Sequence, residues 1–184
     1  MTSPDSVSGD ERLRLFVALR LPEAVLDVLE AWQQEHLHGV RVVPRGHLHI
    51  TLAFLGSRPA GELDAVVGEL RAAAADAPAD LRLAPSRYRE TRSVAMLALD
   101  DLGGGATGLA EDVQARLERL GVYRREGRPW LPHVTVARFR ERPRLRLEPP
   151  GMGTFVPSDA AAYLSQLHPG GAQYVVLESV GLGG

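Results

Sequence analysis

Two stretches of the chain place a histidine and a threonine two residues apart inside apolar runs: His49 with Thr51, and His133 with Thr135. Side chains on a β-strand alternate between its faces, so each histidine would share a face with its threonine. An imidazole with an ordinary pKa of about 6.5 can accept or donate a proton at neutral pH. Two imidazoles can therefore act as an acid and a base, while the hydroxyls donate to oxygens that gain negative charge. These four side chains predict in-line displacement at phosphorus without a metal ion.

The basic residues are distributed unevenly along the chain. All 21 are arginines, and eight of them lie between Arg124 and Arg146, around the second motif, although the formal net charge is only −2. This predicts a local patch for a phosphate anion, which a guanidinium can bind through two parallel hydrogen bonds. The absence of lysine excludes P-loop and Schiff-base chemistry. The absence of cysteine excludes disulfides, thiol nucleophiles and cysteine-based zinc sites.

Length and composition predict one folded unit. The chain has 184 residues, 45% of them hydrophobic, which suits one compact domain or two small lobes that share a core. Residues 1–11 are polar and are expected to form a disordered lead-in before a single domain over 12–184. There is no signal-peptide pattern and no apolar run of about 18 residues. A cytoplasmic monomer without a membrane partner is therefore the expectation.

Hydrophobic spacing predicts alternating strands and helices. Helices are predicted over 23–36, 60–75 and 106–120, the last ending at Gly121. Strand-like runs cover 14–19, 40–43, 48–55, 81–83, 94–99, 130–139 and 174–177. Segment 140–151 is expected to be a mobile loop, and 158–162 to begin a helix. Strands that are joined by turns favour an α+β fold over a doubly wound parallel sheet.

Strand periodicity also predicts which side chains share a face in the two motif strands. Phe54 falls on the predicted core face, whereas Ala53 falls on the face of His49. Arg138 has the same parity as the core-facing Val136, so it reaches the histidine face only if the strand ends, twists or bulges before it. The motifs lie 84 residues apart, and each follows a helix and a strand-like segment. This indicates a diverged duplication in which a pseudo-twofold axis brings both motifs to one groove.

The segments RLFVALRLP, LHITLAFLG and PHVTVARF together resemble the two-histidine (2H) phosphoesterases. More narrowly, they resemble the RNA 2′,3′-cyclic phosphodiesterase branch, also called ThpR or LigT-like 2′-5′ RNA ligase. The tail YLSQLHPGGAQYVVL resembles the closing segment of that branch, so the resemblance spans roughly residues 12–182. It implies a bilobal α+β fold: two pseudo-twofold-related lobes, each with an antiparallel sheet flanked by helices, around a central groove. It also implies hydrolysis of an RNA or nucleoside 2′,3′-cyclic phosphate to a 2′-phosphate without a cofactor, and reversal of related chemistry explains the ligase name.

The resemblance implies roles for the motif residues. His49 would be the acid toward the leaving ribose oxygen and His133 the base for water, although the sequence alone does not fix this order. Thr51 and Thr135 are carried over as the motif threonines.

The resemblance also implies contacts with the substrate. Arg138 would contact the phosphate or the base, and Phe16 would pack against the base or ribose. The family often has an aromatic residue where this chain has Val42, which removes one expected stacking surface. Tyr163 and Tyr174 are interpreted as structural residues.

Several alternatives stay open. The sequence His-Leu-His occurs at 36–38 and again at 47–49, and histidine clusters bind zinc, but no acidic residue has ligand spacing beside them. The same motifs suit hydrolysis of 2′-5′-linked oligonucleotides or of an ADP-ribose cyclic phosphate. A binding module for nucleotides or RNA needs donors and positive charge but no acid–base pair. The run Arg140–Arg146 is interpreted as a solvated loop or as an RNA contact.

Overall fold

A computed structural model describes residues 11–183 of the chain, which form two four-stranded antiparallel sheets and three α-helices. The helices are α1 (Glu23–His36), α2 (Leu63–Asp76) and α3 (Gly105–Arg119). The strands are β1 (Arg12–Arg20), β2 (Arg41–Val42), β3 (His49–Pro59), β4 (Arg82–Glu90), β5 (Val94–Leu102), β6 (His133–Arg138), β7 (Asp159–His168) and β8 (Gly171–Val180). Because helices pack beside antiparallel sheets, the predicted α+β class is confirmed.

Each sheet contains one of the two motifs. Sheet A has the strand order β3-β1-β7-β8, and sheet B has the order β2-β6-β5-β4. Strand β3 begins at His49 and β6 begins at His133, and the two strands contact each other where the sheets meet. The succession β1-α1-β3 in one lobe corresponds to β5-α3-β6 in the other. The predicted pair of related lobes is therefore confirmed, although β7 and β8 from the end of the chain complete the first sheet.

The helices bury one apolar face each. In α1, Val25, Leu29 and Trp32 recur at helical spacing and are buried. This helix lies against sheet B, where the Trp32 ring is 6.1 Å from the ring of Tyr88 on β4. Helix α3 packs against α2 and β3. It ends as predicted at Gly121, whose φ of +79° favours glycine at that position.

Residues 158–162 do not begin a helix, and that prediction was wrong. They enter β7, where Ala160, Ala161 and Ala162 are at most 1% exposed between β1 and β8. Helix propensity is a weak preference that tertiary packing overrides. Small side chains on this central strand also allow α2, which contacts β7, to approach the sheet closely.

Two further expectations concern the lead-in at the start of the chain and the absence of a membrane span. The predicted disordered lead-in, 1–11, lies outside the described residues except for Glu11, whose carbonyl accepts a hydrogen bond from the Ala60 N–H at 2.8 Å. Within 11–183, none of the helices combines the length and the apolar character needed to cross a membrane.

The segment after β6 has no helix or strand, as predicted, but it is anchored rather than loose. Glu90 on β4 has a side chain that is 1% exposed. It accepts hydrogen bonds from the backbone N–H groups of Arg144 (2.9 Å) and Leu145 (2.7 Å) and from the Arg142 guanidinium (3.1 Å). Burial alone would raise the pKa of Glu90, but these donors and the Tyr88 hydroxyl outweigh it and hold the pKa below its ordinary value. This anchoring argues against the predicted mobility.

Candidate active site

A β-bulge in β3 determines which side chains of the first motif reach the groove. Thr51 pairs with Ala18 and Ala53 pairs with Val17, so Leu52 is an extra residue in the ladder. Ala53 consequently turns into the core at 3% exposure. The alternation resumes one residue late, and the next side chain, that of Phe54, points to the groove.

The predicted faces of Phe54 and Ala53 are therefore reversed. Phe54 is 48% exposed and lies on the same face as His49 and Thr51. The strict period of two failed because the bulge adds a residue between Thr51 and Ala53.

The second motif repeats the same irregularity. Thr135 pairs with Met96 and Ala137 pairs with Ala95, so Val136 is the extra residue of β6. The sequence predicted that Arg138 reaches the histidine face only if the strand ends, twists or bulges before it. The bulge at Val136 meets this condition, and Arg138 lines the groove. The two motifs correspond position by position, and Arg138 on β6 stands where Phe54 stands on β3.

The two histidines have equivalent hydrogen bonds. The Nδ1 atom of His49 is 2.8 Å from the carbonyl oxygen of His47, and that of His133 is 2.8 Å from the carbonyl oxygen of Leu131. A carbonyl oxygen only accepts, so each Nδ1 carries the hydrogen and the neutral ring has its lone pair on Nε2. In His49 this Nε2 accepts a hydrogen bond from the Thr51 hydroxyl at 3.0 Å. Both rings are thus held in the tautomer that can take a proton at Nε2.

Burial controls the charge of His49. Burial lowers the pKa of this imidazole to about 4, and it outweighs the hydrogen bond to the His47 carbonyl, which would raise the pKa. Repulsion from the His133 ring in its protonated form and from the Arg138 guanidinium lowers the pKa of His49 further. His49 is therefore neutral in the free protein at pH 7. Burial also lowers the pKa of the His47 side chain, with a smaller contribution from Arg41.

Beside His49 is a cavity of about 490 Å³ that positively charged side chains line. Thr51, Thr135 and Arg138 also line it, as the sequence predicted for one groove. Sequence reasoning did not select Arg14 and Arg41, which add two further guanidiniums to its wall. Arg41 is held by the Gly170 carbonyl, which accepts its hydrogen bond at 2.6 Å. No carboxylate within residues 11–183 lines this cavity, so it is built for an anion.

Aromatic rings form the base of this cavity. Phe16 is 1% exposed, with its ring centre 4.9 Å from that of His49 and 4.8 Å from that of Tyr163. The rings that are open to a ligand are those above it: Phe54, stacked at 5.8 Å, and Tyr174, edge-on at 5.0 Å. Val42, where the family often has an aromatic residue, also lines this cavity. Phe54 and Tyr174 supply aromatic surface there in its place. Aligning the two motifs would have found Phe54. Tyr174 lies in the tail segment that resembles the family, but it was interpreted as structural, whereas the structure places it in the cavity wall.

His133 opens onto a second, adjoining cavity of about 500 Å³. Thr51 and Phe54 line both cavities, so they mark the boundary between them. Other lining residues of the second cavity are Arg89, Tyr123, Arg128 and Trp130. The sequence predicted that both histidines line one groove wall. The structure instead places His49 and His133 in the walls of two different cavities. They face neighbouring cavities with the Thr51 side chain between them.

The described residues do not assemble the histidine cluster considered for zinc. His36 and His38 lie at the end of α1, whereas His47 and His49 belong to the cavity beside β3. Within 11–183, no group of three or more His, Asp or Glu side chains is placed to hold a metal ion.

Two lobes that each bring a His-x-Thr motif to a shared groove are the architecture of two-histidine phosphoesterases. A family model described as "2'-5' RNA ligase superfamily" matches residues 21–167. A relative from Thermus thermophilus, named RNA 2′,3′-cyclic phosphodiesterase, is 35% identical over 182 residues, covering 94% of this chain and 91% of the relative. The chain therefore belongs to the 2′-5′ RNA ligase superfamily.

Solved structures agree with this membership. A protein described as a phosphoesterase matches with a TM-score of 0.81 and 25% identity, covering 95% of this chain and 100% of that one. E. coli LigT complexed with NADP+ matches with a TM-score of 0.80 and 26% identity, over the same shares of the two chains.

Proposed function

We propose that this protein hydrolyses the 2′,3′-cyclic phosphate at the end of an RNA to a 2′-phosphate, without a metal ion. The observation that carries the proposal is the equivalent pair of imidazoles, His49 and His133. Each is fixed through Nδ1 so that Nε2 carries the lone pair, and each lies in a strand with a motif threonine two residues on, beside a cavity that arginine side chains line. The 35% identity to a protein named RNA 2′,3′-cyclic phosphodiesterase supports the substrate class.

The proposed reaction is an in-line displacement at phosphorus. His133 takes a proton from water through Nε2 as the water oxygen bonds to phosphorus. The bond from phosphorus to the ribose O3′ breaks, and His49 gives a proton to that oxygen. Water and the cyclic diester are thereby converted into a 2′-phosphate and a free 3′-hydroxyl. Thr135 donates to a non-bridging oxygen, and Thr51 does so once the protonated Nε2 of His49 no longer accepts its hydroxyl hydrogen.

His49 must be protonated to act as the acid, although burial makes it neutral in the free protein. The substrate supplies the missing charge. A phosphate anion beside an imidazole favours the protonated form and raises its pKa by roughly 1 to 3 when it lies within about 5 Å. His49 thus takes up its proton together with the substrate.

The rest of the groove suits a nucleotide. Arg14, Arg41 and Arg138 attract the phosphate, and a guanidinium can bind it through two hydrogen bonds. Phe54 and Tyr174 offer ring faces for a base or ribose, whereas Phe16 supports these rings from below. In this assignment Phe16 acts by packing beneath the contact surface rather than by touching the substrate itself.

A second candidate function is hydrolysis of other nucleotide diesters, such as 2′-5′-linked oligonucleotides or an ADP-ribose cyclic phosphate. The adjoining cavity beside His133 favours it, because its volume of about 500 Å³ leaves space for a further nucleotide. The complex of E. coli LigT with NADP+ also supports a groove that accepts a dinucleotide. Side-by-side turnover of these compounds and of a cyclic-phosphate RNA separates the two functions.

The decisive experiment is hydrolysis of a nucleoside 2′,3′-cyclic phosphate and of a short RNA with that end, both in EDTA, with the product isomer identified by chromatography. We expect a 2′-phosphate from the parent and a loss of about 10²- to 10⁴-fold in His49→Ala and His133→Ala. His38→Ala, which changes an exposed histidine outside both cavities, is the matched control and should be fully active. Binding without turnover by the parent would instead indicate a nucleotide-binding module.

A further inference from the structure

Two buried glutamines occupy corresponding places in the two lobes. Gln33 on α1 is 2% exposed and Gln114 on α3 is 7% exposed. A buried amide destabilises a protein unless its hydrogen bonds are made. The hydrogen-bond partners of these two side chains therefore indicate their structural role.

Each glutamine donates to the carbonyl of a bulge residue. The Nε2 of Gln114 is 2.9 Å from the Leu52 oxygen, and the Nε2 of Gln33 is 2.9 Å from the Val136 oxygen. Gln33 also donates to the Val43 oxygen at 3.0 Å, and the Val136 oxygen accepts the Val43 N–H at 3.0 Å. The same bond thus occurs twice, at the residue that follows the motif threonine in each strand.

The bonds cross between the lobes. Helix α1 follows β1 of sheet A, yet Gln33 bonds to β6 of sheet B. Helix α3 follows β5 of sheet B, yet Gln114 bonds to β3 of sheet A. Each lobe therefore provides the donor for the motif strand of the other lobe.

The bulge is what brings the motif threonine and the residue three positions later to one face. Without it, Phe54 and Arg138 would point into the core, as simple alternation predicts. A bulge leaves its extra residue outside the regular ladder, so a donor at that carbonyl holds the irregular geometry in place. The two glutamines supply this donor from rigid helices.

We propose that Gln33 and Gln114 are positioning residues that fix the bulges at Val136 and Leu52. They thereby aim Thr135 and Arg138, and Thr51 and Phe54, at the reacting phosphate. The proposal rests on the proposed function for its catalytic readout but not for its geometry.

The test uses Gln33→Met and Gln114→Met, which keep the length of the side chain and remove the donor. Each variant is expected to lose about 10-fold or more in kcat/KM on a 2′,3′-cyclic nucleotide, because small misplacements of catalytic groups are costly. Val25→Ala on α1 and Val113→Ala on α3 are matched controls that weaken the same helices without touching a bulge, and they should keep kcat and KM.

Double-mutant cycles separate positioning from a general loss of stability. The loss in kcat/KM from Gln33→Met should add little to the loss from Arg138→Gln, since both substitutions act on β6. The losses from Gln33→Met and Phe54→Ala should be additive. Gln114→Met should show the reverse, coupling with Phe54→Ala and not with Arg138→Gln. Additive losses in all four combinations, or losses that match the fraction of unfolded protein, would overturn the proposal.

A second readout does not depend on turnover. NMR titration of the histidine Cε1–H resonances should show an altered His49 in Gln114→Met and an altered His133 in Gln33→Met. If the parent turned over no cyclic phosphate, the proposed function would fail and this crossed pattern would still decide the positioning roles. Equal changes of both histidines in either variant, or none, would contradict them.

Discussion

At the scale of single residues, the charge of His49 links the fold to the chemistry. Its ring lies over Phe16 and Tyr163, and its Nδ1 is fixed by the His47 carbonyl. These apolar neighbours penalise the imidazolium, so burial brings the pKa to about 4. In the proposed mechanism an imidazole with this pKa is protonated at neutral pH only when an anion binds beside it, which ties protonation to substrate binding.

The titration of His49 tests this coupling. NMR of the free protein should give a pKa near 4 for His49, and saturating inorganic phosphate should raise that pKa by at least about 1. The sign follows from the anion, which stabilises the imidazolium over the neutral ring. A pKa that stays near 4 with phosphate bound would reverse the proposed roles and make His49 the base.

Arg138 and Phe54 show how one backbone position serves two purposes in related lobes. Both side chains line the cavity, and Arg14 lies 5.2 Å above the Phe54 ring. In the proposed site the Arg138 guanidinium binds the phosphate and the Phe54 ring offers an apolar surface. We predict that Arg138→Gln weakens binding of the 2′-phosphate product by about 10- to 100-fold, because a charge-assisted hydrogen bond is lost. Calorimetry at two salt concentrations measures this, and Arg87→Gln, an exposed change on β4 outside both cavities, is the control. Unchanged binding in Arg138→Gln would remove Arg138 from the phosphate site.

At the scale of elements, the sequence predicted the motif strands and the three helices but not the details that aim the side chains. The His-x-Thr repeat and the apolar stripes are periodic signals, so they are readable without a structure. The extra residue at Leu52 interrupts that period without any change in composition, which is why Phe54 was placed on the wrong face. The misassigned segment 158–162 has a different cause, since burial between two strands decides its conformation and depends on distant parts of the chain.

The anchored segment after β6 gives a prediction about stability. Glu90→Gln should lower the free energy of unfolding by about 1–3 kcal/mol at pH 7, because the buried carboxylate accepts several charge-assisted or backbone hydrogen bonds. The pKa of Glu90 is lowered in the folded state, so its contribution is present above the ordinary value of 4.5 and is lost as the pH falls below it. Denaturant unfolding of parent and variant at pH 7 and pH 4 should therefore show a difference that shrinks at the lower pH.

The control for this prediction is Glu178→Gln. Glu178 forms an exposed ion pair with Arg71, and such pairs contribute only about 0–1 kcal/mol. An equal loss in both variants would show that Glu90 does not anchor the segment. Hydrogen exchange should also quicken at Arg144 and Leu145 in Glu90→Gln, since their N–H groups lose an acceptor.

At the scale of the whole molecule, the lobes are tied together by the elements that build the groove. One cluster of buried apolar side chains contains both Leu19 of sheet A and Leu97 of sheet B. The Trp130 indole donates to the Thr51 carbonyl at 2.9 Å. Gln33 on α1 donates to β6 of sheet B, and Gln114 on α3 donates to β3 of sheet A. The proposed reaction needs two imidazoles held on opposite sides of one phosphorus atom, which a groove between freely hinged lobes could not do.

These connections predict that residues 12–184 unfold as one cooperative domain. Calorimetry should give one transition with equal calorimetric and van't Hoff enthalpies. Leu19→Ala and Leu97→Ala each leave a cavity in the shared core, and each should lower the free energy of unfolding by about 2–5 kcal/mol. Either substitution should move the single transition to lower temperature without splitting it, because neither lobe keeps a complete core when the other unfolds. Two separate transitions in either variant would mean that the lobes are independent domains, and the groove would then depend on a weak interface between them.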